Sequence, residues 1–270
     1  MRPIQLEIID ELGVLPTINV EKEKERRKDF LKNLLVNYNL NGFVLGISGG
    51  QDSALAGKLA QEAVNEVRSE TGRDVNFYAL LLPHRVQKDA HEALEVAEKF
   101  IQADKVLNFN IGEAVAGFEL EYYGATHIPI ADYHKGNVKA RMRMIAQYAI
   151  AGENNLLVIG TDHAAENVTG FYTKFGDGAA DVLPLAGLNK RQGRALLLSW
   201  DTTPKFLYTK KPTADLLDNA PQQTDETELG ITYDVIDDYL EGKIVDDVAA
   251  EAIEKRYIAT MHKRRLPIEP

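Results

Sequence analysis

The chain of 270 residues contains no cysteine. That absence removes disulfides, cysteine-ligated zinc and cysteine nucleophiles together. No apolar run approaches the ~20 residues needed to cross a bilayer. The start, Met1-Arg2-Pro3-Ile4-Gln5, leads into acidic residues rather than the apolar core of a signal peptide. A cytoplasmic protein without membrane contact is the expectation. Basic charge is scarce too: 31 Lys and Arg against 41 Asp and Glu give a net charge of −10. That balance argues against a protein built chiefly to grip nucleic acid, although it permits a local basic pocket for a small anion. The histidines His84, His91, His127, His134 and His163 lack a metal-ligand spacing, so no zinc site is read. Neither an internal repeat nor a low-complexity tract is present. With 44% apolar and 27% charged residues, the composition is that of a soluble globular protein.

Two common nucleotide fingerprints are also missing. There is no G-x-G-x-x-G. Gly57-Lys58 is followed by Leu59, and Asp52 stands where the mononucleotide loop needs its first glycine. What is present is a different loop. Phe43, Val44, Leu45 and Ile47 read as a strand buried on both faces, and Ser48-Gly49-Gly50 breaks it. Asp52 and Ser53 then open a helix carrying Leu55, Leu59, Ala63 and Val67 at helical spacing. A strand, a glycine turn and a helix start gather unpaired N–H groups at the positive end of a helix dipole, which suits phosphate. Ser48-Gly49-Gly50-Gln51-Asp52-Ser53 matches the S-G-G-x-D-S signature of the ATP pyrophosphatase (PP-loop) superfamily. The resemblance implies ATP held by its β,γ-pyrophosphate and cut between the α and β phosphates.

Before this stretch, Ile4, Ile8, Ile9 and Leu12 form a helical stripe ending at Gly13. Asn19 caps a second helix, amphipathic through Phe30, Leu31, Leu34, Leu35 and Tyr38. After it, strands are expected at Val75–Leu82, Lys105–Phe109 and Leu156–Gly160. Helices are expected at Asp89–Gln102, around Ala114–Tyr123 and at Lys135–Ala151. This alternation predicts an α/β fold: a single-domain, doubly wound parallel sheet with helices on both faces. Residues 1–41 add N-terminal helices, 42–200 form the core, and 201–270 supply a loop and C-terminal helices. Residues 170–189 and Thr202–Glu228 read as long loops, and Tyr233–Leu240 and Asp246–Arg264 as closing helices.

Three further stretches carry chemistry. Gly160-Thr161-Asp162-His163-Ala164-Ala165-Glu166 follows the fourth strand, where ligands gather in open parallel sheets. On a helix, Asp162 and Glu166 share a face and with Asp52 suit Mg²⁺; capping by Thr161 or Asp162 is the other reading. Lys135 to Arg143 holds four cations in nine residues, either an anion site or a solvated basic face. Thr169 to Asp181 mixes aromatics, Lys174, Asp177 and Asp181 with glycines, suited to stacking on a ring or to a mobile loop. Lys190-Arg191-Gln192, Lys210 to Leu216 and His262 to Arg265 are weak signals singly.

Taken together and in this order, residues 46–53, 136–143, 160–166, 173–181, 212–216 and 262–264 resemble ammonia-dependent NAD⁺ synthetases over nearly the whole chain. The resemblance implies that the carboxylate of deamido-NAD⁺ attacks ATP to give an adenylated intermediate and pyrophosphate. Ammonia then displaces AMP. It assigns ATP contacts to Gly46, Ile47, Ser48, Gly49, Gly50, Gln51, Asp52, Ser53, Thr161, Lys190 and Thr213. Asp52 and Glu166 take the role of Mg²⁺ ligands. Arg141, Lys174, Asp181, His262 and Lys263 face deamido-NAD⁺, and Asp177 with Lys190 stands near the reacting carboxyl. A homodimer with substrate at the interface is implied, the apolar helices near 30–38 and 142–149 supplying it. Glutamine-using versions carry an amidase with a cysteine nucleophile, so this cysteine-free chain is expected to use free ammonia. The pattern departs at Leu198 to Thr203, in a variable connection, and at His84-Arg85-Val86, where Arg replaces a small residue. A sulfur transferase acting on tRNA fits poorly, lacking cysteine and a basic face. An ATP-holding regulatory module would not need the metal carboxylates or the Asp177–Lys190 pair.

Overall fold

The computed structural model describes residues 1–87, 89–210, 218–219 and 223–265. Among them, one parallel sheet runs in the order β3-β2-β1-β4, built from β1 (Gly42–Gly46), β2 (Asn76–Leu81), β3 (Lys105–Asn108) and β4 (Leu156–Val158). All four expected strands are there. β1 is central, with Phe43 opposite Phe77 on one side and Leu157 on the other. Alternation sends Phe43, Leu45 and Ile47 into one core and Val44 into another. Each such side chain, fully buried, contributes about 1.5–3 kcal/mol.

α1 (Pro3–Leu12) starts with proline and stops at left-handed Gly13. In α2 (Val20–Asn37), the Asn19 side chain accepts from the Lys22 N–H at 3.0 Å, the expected cap. α2 and α3 (Gln51–Thr71) pack on the Phe43 face of the sheet. α6 (Asp132–Asn154) covers the Val44 face. The sheet is therefore wound on both sides, and its loops meet at the carboxyl ends of β1 and β4. A separate apolar cluster joins α1 to α7 (Ala164–Thr169), α11 (Tyr233–Leu240) and α12 (Asp247–Ala259).

Several boundaries differ from the expected ones. α4 (Ala90–Glu95) runs on as a π-helical turn, Val96–Ile101, ending at left-handed Gln102. Gly57 of α3 makes room for it, since a Cβ there would stand 2.6 Å from Ile101 Cδ1. A 3.6-residue periodicity cannot announce the wider turn. α5 (Gly112–Thr126) outlasts its expected end at Tyr123, so the loop into α6 begins at His127. The closing helix breaks at Thr260, separating α12 from α13 (Met261–Arg264). There the Thr260 hydroxyl donates to the Arg256 carbonyl at 2.8 Å, and its side chain abuts Gly170. α8 (Lys190–Leu197) has no counterpart among the expected helices, and α9 (Phe206–Thr209) and α10 (Asp225–Leu229) lie in the stretch that reads as loop.

Candidate active site

β1 ends at Gly46, and the chain turns through Ile47 to Gly50 into α3. Gly49 has φ +78, and a Cβ on it would come within 3.0 Å of the Ala93 nitrogen, so only glycine fits. The Ser48 and Ser53 hydroxyls lie 2.9 Å apart, and the Gly50 N–H donates to Ser48 Oγ at 3.2 Å. These bonds brace the loop. The first N–H groups of α3, which have no partner within the helix, face the cavity beyond it.

That cavity measures about 860 Å³ and reaches from residues 46–53 to Thr161, Glu166, Asp177 and Lys190. α8 positions Lys190. Asn189 and Gln192 form a reciprocal cap at its start, and buried Asp237 accepts from the N–H groups of Lys190 and Arg191 at 3.0 and 2.7 Å. The Lys190 ammonium then donates to Asp52 Oδ2 at 2.7 Å and lies 4.9 Å from the Tyr233 ring centre. Burial disfavours the charge on Lys190, but Asp52 and Glu166 outweigh it and hold its pKa above the ordinary lysine range. Burial pushes the Asp52 carboxyl up, and the charge and hydrogen bond of Lys190 bring it below the usual range. For Glu166 the attraction of Lys190 is outweighed. Burial, with Asp52 nearby, raises its pKa well above the usual value.

Asp52, His163 and Glu166 each turn one ligand atom to a common point, all within 4.8 Å of one another. His163 Nε2 stands 3.7 Å from Asp52 and 3.6 Å from Glu166, and neither ring nitrogen has a hydrogen-bond partner. Burial lowers the His163 pKa to about 4, so the ring is neutral. Two carboxylates on a phosphate cradle suit a hard divalent cation. The orphaned imidazole marks space there that a ligand or water would fill.

Asp162 stands apart from this group. The N-cap of α7 is His163, without a side-chain capping bond, so Asp162 precedes the helix and shares no face with Glu166. Burial, with Asp177 close by, pushes the Asp162 carboxyl up to about 8. Asp177 accepts from the Thr173 N–H at 3.1 Å, and although the residue is exposed at the cavity, desolvation of its carboxyl raises its pKa too. Its cationic neighbour is Lys263, whereas Lys190 pairs with Asp52. Asp177 and Lys190 thus line one cavity without pairing directly.

Three of the five expected dinucleotide contacts converge on the glycine-rich loop. Arg141 donates to the Lys174 carbonyl at 3.1 Å, and Lys174 lies over the Phe175 ring. Lys263 donates to the carbonyls of Gly170 and Tyr172 at 2.7 and 2.6 Å. His262 is exposed on α13. Asp181 Oδ2 accepts from the Val158 N–H of β4 at 2.8 Å. The basic run is mostly neutralised within the protein: Lys135 and Lys139 pair with Asp218, and Arg143 donates to the Leu82 carbonyl. Thr213 lies outside the described residues. His163, Asp225 and Tyr233 were not foreseen as parts of this site. For Asp225 and Tyr233 no local signal exists, since distance along the chain separates them from the loop they face.

A serine–glycine loop between β1 and α3, facing acidic residues beyond β4, defines an α/β protein of the ATP-pyrophosphatase kind. Residues 23–267 match the family model described as NAD synthase. The chain belongs to the NAD synthase family. It is 60% identical over 264 residues to the NH(3)-dependent NAD(+) synthetase of Bacillus pumilus, covering 98% of this chain and 96% of that one. Among solved structures, it resembles the NAD+ synthetase of Burkholderia pseudomallei, with TM-score 0.83, 46% identity and 99% of each chain covered. It also resembles the NMN synthetase of Francisella tularensis, with TM-score 0.81 and 38% identity over 94% of this chain and 99% of that one.

Proposed function

We infer that the protein is an ammonia-dependent NAD⁺ synthetase, a ligase that uses ATP to convert the carboxylate of deamido-NAD⁺ into an amide. The observation that carries this reading is the cavity in which the 46–53 loop, Glu166 and Lys190 meet, in a chain of this family. In the first step a carboxylate oxygen of deamido-NAD⁺ bonds the α-phosphorus, and pyrophosphate leaves with the electrons of the broken bond. Residues Gly46, Ile47, Ser48, Gly49, Gly50, Gln51, Asp52 and Ser53, with Thr161, Lys190 and Thr213, hold ATP. Loop N–H groups aimed at the leaving phosphates stabilise the charge that develops there.

Asp52 and Glu166 would hold Mg²⁺, which when bound neutralises charge on the departing pyrophosphate. Lys190, at the start of α8, binds the phosphates beside the loop. Arg141, Lys174, Asp181, His262 and Lys263 orient deamido-NAD⁺. Asp177 is exposed at the cavity, desolvation of its carboxyl raises its pKa, and it accepts a proton from ammonia as nitrogen attacks the adenylated carbon. We propose further that residues 1–270 act as one domain, in the cytoplasm, as a homodimer without nucleic acid or membrane contact. No helix among the described residues is long and apolar enough to cross a membrane.

The dimer reading draws support from α5 as well as from the stretches 30–38 and 142–149, where Phe30, Val36, Tyr38 and Ile145 are exposed. Leu31 and Leu35 are spent in the core, whereas Phe118, Leu120 and Tyr123 on α5 are exposed beside Ile128 and Tyr133. Such a face, in water, calls for a partner.

The test supplies ATP, Mg²⁺ and deamido-NAD⁺ with either ammonium or glutamine, and follows NAD⁺ and AMP separately. Equal NAD⁺ and AMP with ammonium supports the ligase; AMP and pyrophosphate without NAD⁺ discards the dinucleotide. The solved NMN synthetase raises a second reading, in which NMN is the product. A parallel assay with the corresponding mononucleotide separates the two.

A further inference from the structure

Five cations line the cavity: Arg143, Lys190, Arg191, Arg194 and Lys210. The protein already engages four of them. Arg143 donates to the Leu82 carbonyl at 3.0 Å, and Lys190 to Asp52 at 2.7 Å. Arg191 reaches Asp238 and Glu241, each at 2.8 Å. Lys210 reaches Glu92 at 2.6 Å and Asp89 at 3.1 Å. Arg194 is the exception. It makes no side-chain hydrogen bond or ion pair among the described residues.

Its place in the fold points it toward the phosphate loop. Arg194 follows Lys190 by four residues on α8, so the two side chains share a helix face. The next residue back, Gly193, lies against the first turn of α3: a Cβ there would stand 3.4 Å from Gln51 Nε2 and 3.7 Å from Leu55 Cδ2. The Gln51 amide in turn donates to the Lys190 carbonyl at 3.2 Å. α8 is therefore locked against the loop, with Lys190 at its base and Arg194 one turn further along.

We propose that Arg194 binds the terminal phosphates of ATP and then the pyrophosphate that leaves. Lys190 cannot supply this charge alone, because Asp52 already takes it. An arginine fork presents paired donors to phosphate oxygens and keeps its charge at any working pH. As the carboxylate oxygen bonds the α-phosphorus, the bridging bond breaks and its electron pair leaves on pyrophosphate. Arg194 meets the negative charge as it grows. The assignment rests on the ligase reading above.

The test measures inhibition by inorganic pyrophosphate against ATP, together with calorimetric binding of pyrophosphate, ATP and AMP to the Mg²⁺-loaded protein. Arg194→Gln, Arg194→Lys and Lys255→Gln are compared with wild type, Lys255 being an exposed cation on α12 away from the cavity. For Arg194→Gln, pyrophosphate binding weakens and the KM for ATP rises, each about tenfold, as one charged hydrogen-bonding group is lost. AMP binding and the KM for deamido-NAD⁺ stay within about twofold. Arg194→Lys recovers part of the loss, and Lys255→Gln behaves as wild type. Unchanged pyrophosphate binding in Arg194→Gln, or an equal loss for AMP, overturns the assignment. A wild-type protein that makes no NAD⁺ yet binds pyrophosphate through Arg194 discards the dinucleotide reading and keeps this one.

Discussion

The Lys190 ammonium lies 2.7 Å from an Asp52 carboxylate oxygen, although residues 52 and 190 are far apart in sequence and start two different helices, α3 and α8. A protein side chain thus supplies the cation that balances a buried acidic pair. Lys190→Met leaves Asp52 and Glu166 facing each other without it. The expected loss is about 3–5 kcal/mol in unfolding free energy, the scale of breaking a buried pair. Added Mg²⁺ restores more of the melting temperature in the variant than it adds to wild type, because the ion replaces the missing charge. Melting curves with and without Mg²⁺ check this. An identical Mg²⁺ response in both proteins counts against carboxylates that share a cation.

Asp162 makes stability depend on pH in a defined sense. Its pKa is raised to about 8 from an ordinary 3.8, so across that window the folded state holds a proton the unfolded state has lost. Stability therefore falls as pH rises from about 4 to 8, by at most about 1.4 kcal/mol per unit for this one group. Asp162→Asn removes that slope and is more stable than wild type at pH 8. His163 works the other way: lowered to about 4 from 6.5, it costs stability as pH falls through that interval. Urea denaturation from pH 4 to 8 on wild type and Asp162→Asn reads the difference directly.

β1, β2 and β4 were legible because each is a short, largely buried apolar run closed by glycine or a turn, whereas β3 is a mostly exposed edge strand found from its place in the strand–helix alternation. The phosphate loop was legible for the same local reason. α8 was not, since a polar start at Lys190-Arg191-Gln192 following a long loop looks like loop continued. With α8 unread, Arg194 had no visible relation to Lys190. Asp177 and Lys190 were matched by role, and what separates them is tertiary: Lys190 turns to Asp52, while Lys263, brought by α13, stands near Asp177. The break at Thr260 depends on Gly170, ninety residues away in sequence, and no local pattern carries it.

Gly170→Ala tests that contact. Gly170 has φ +63, and a Cβ on it would lie 2.4 Å from Thr260 Cβ. The left-handed backbone adds about 1 kcal/mol and the overlap about 1–3 kcal/mol. Because Lys263 holds the Gly170 carbonyl, the shift also loosens the loop carrying Lys174. Denaturant midpoints and the KM for deamido-NAD⁺ both move. A variant as stable as wild type refutes the packing argument.

The α5 face gives a prediction about assembly. Leu120 is 71% exposed and Tyr123 is 54% exposed, so neither supports the fold of one protomer. Leu120→Glu with Tyr123→Glu is expected to sediment as a folded monomer at micromolar concentration, with unchanged far-ultraviolet circular dichroism. A dimer that persists moves the interface elsewhere.

β4 spans only three residues and forms one border of the sheet. A bare border of that kind invites a strand from another molecule. Here Asp181 Oδ2 occupies the Val158 N–H, while the N–H of Asp181 itself donates to the Val158 carbonyl at 2.9 Å. Val182 then pairs with Ile159 as an isolated parallel bridge. The segment that leads away from Asp177 therefore also covers the border of the sheet, so the loop that carries the site keeps β4 from pairing with a strand of another molecule.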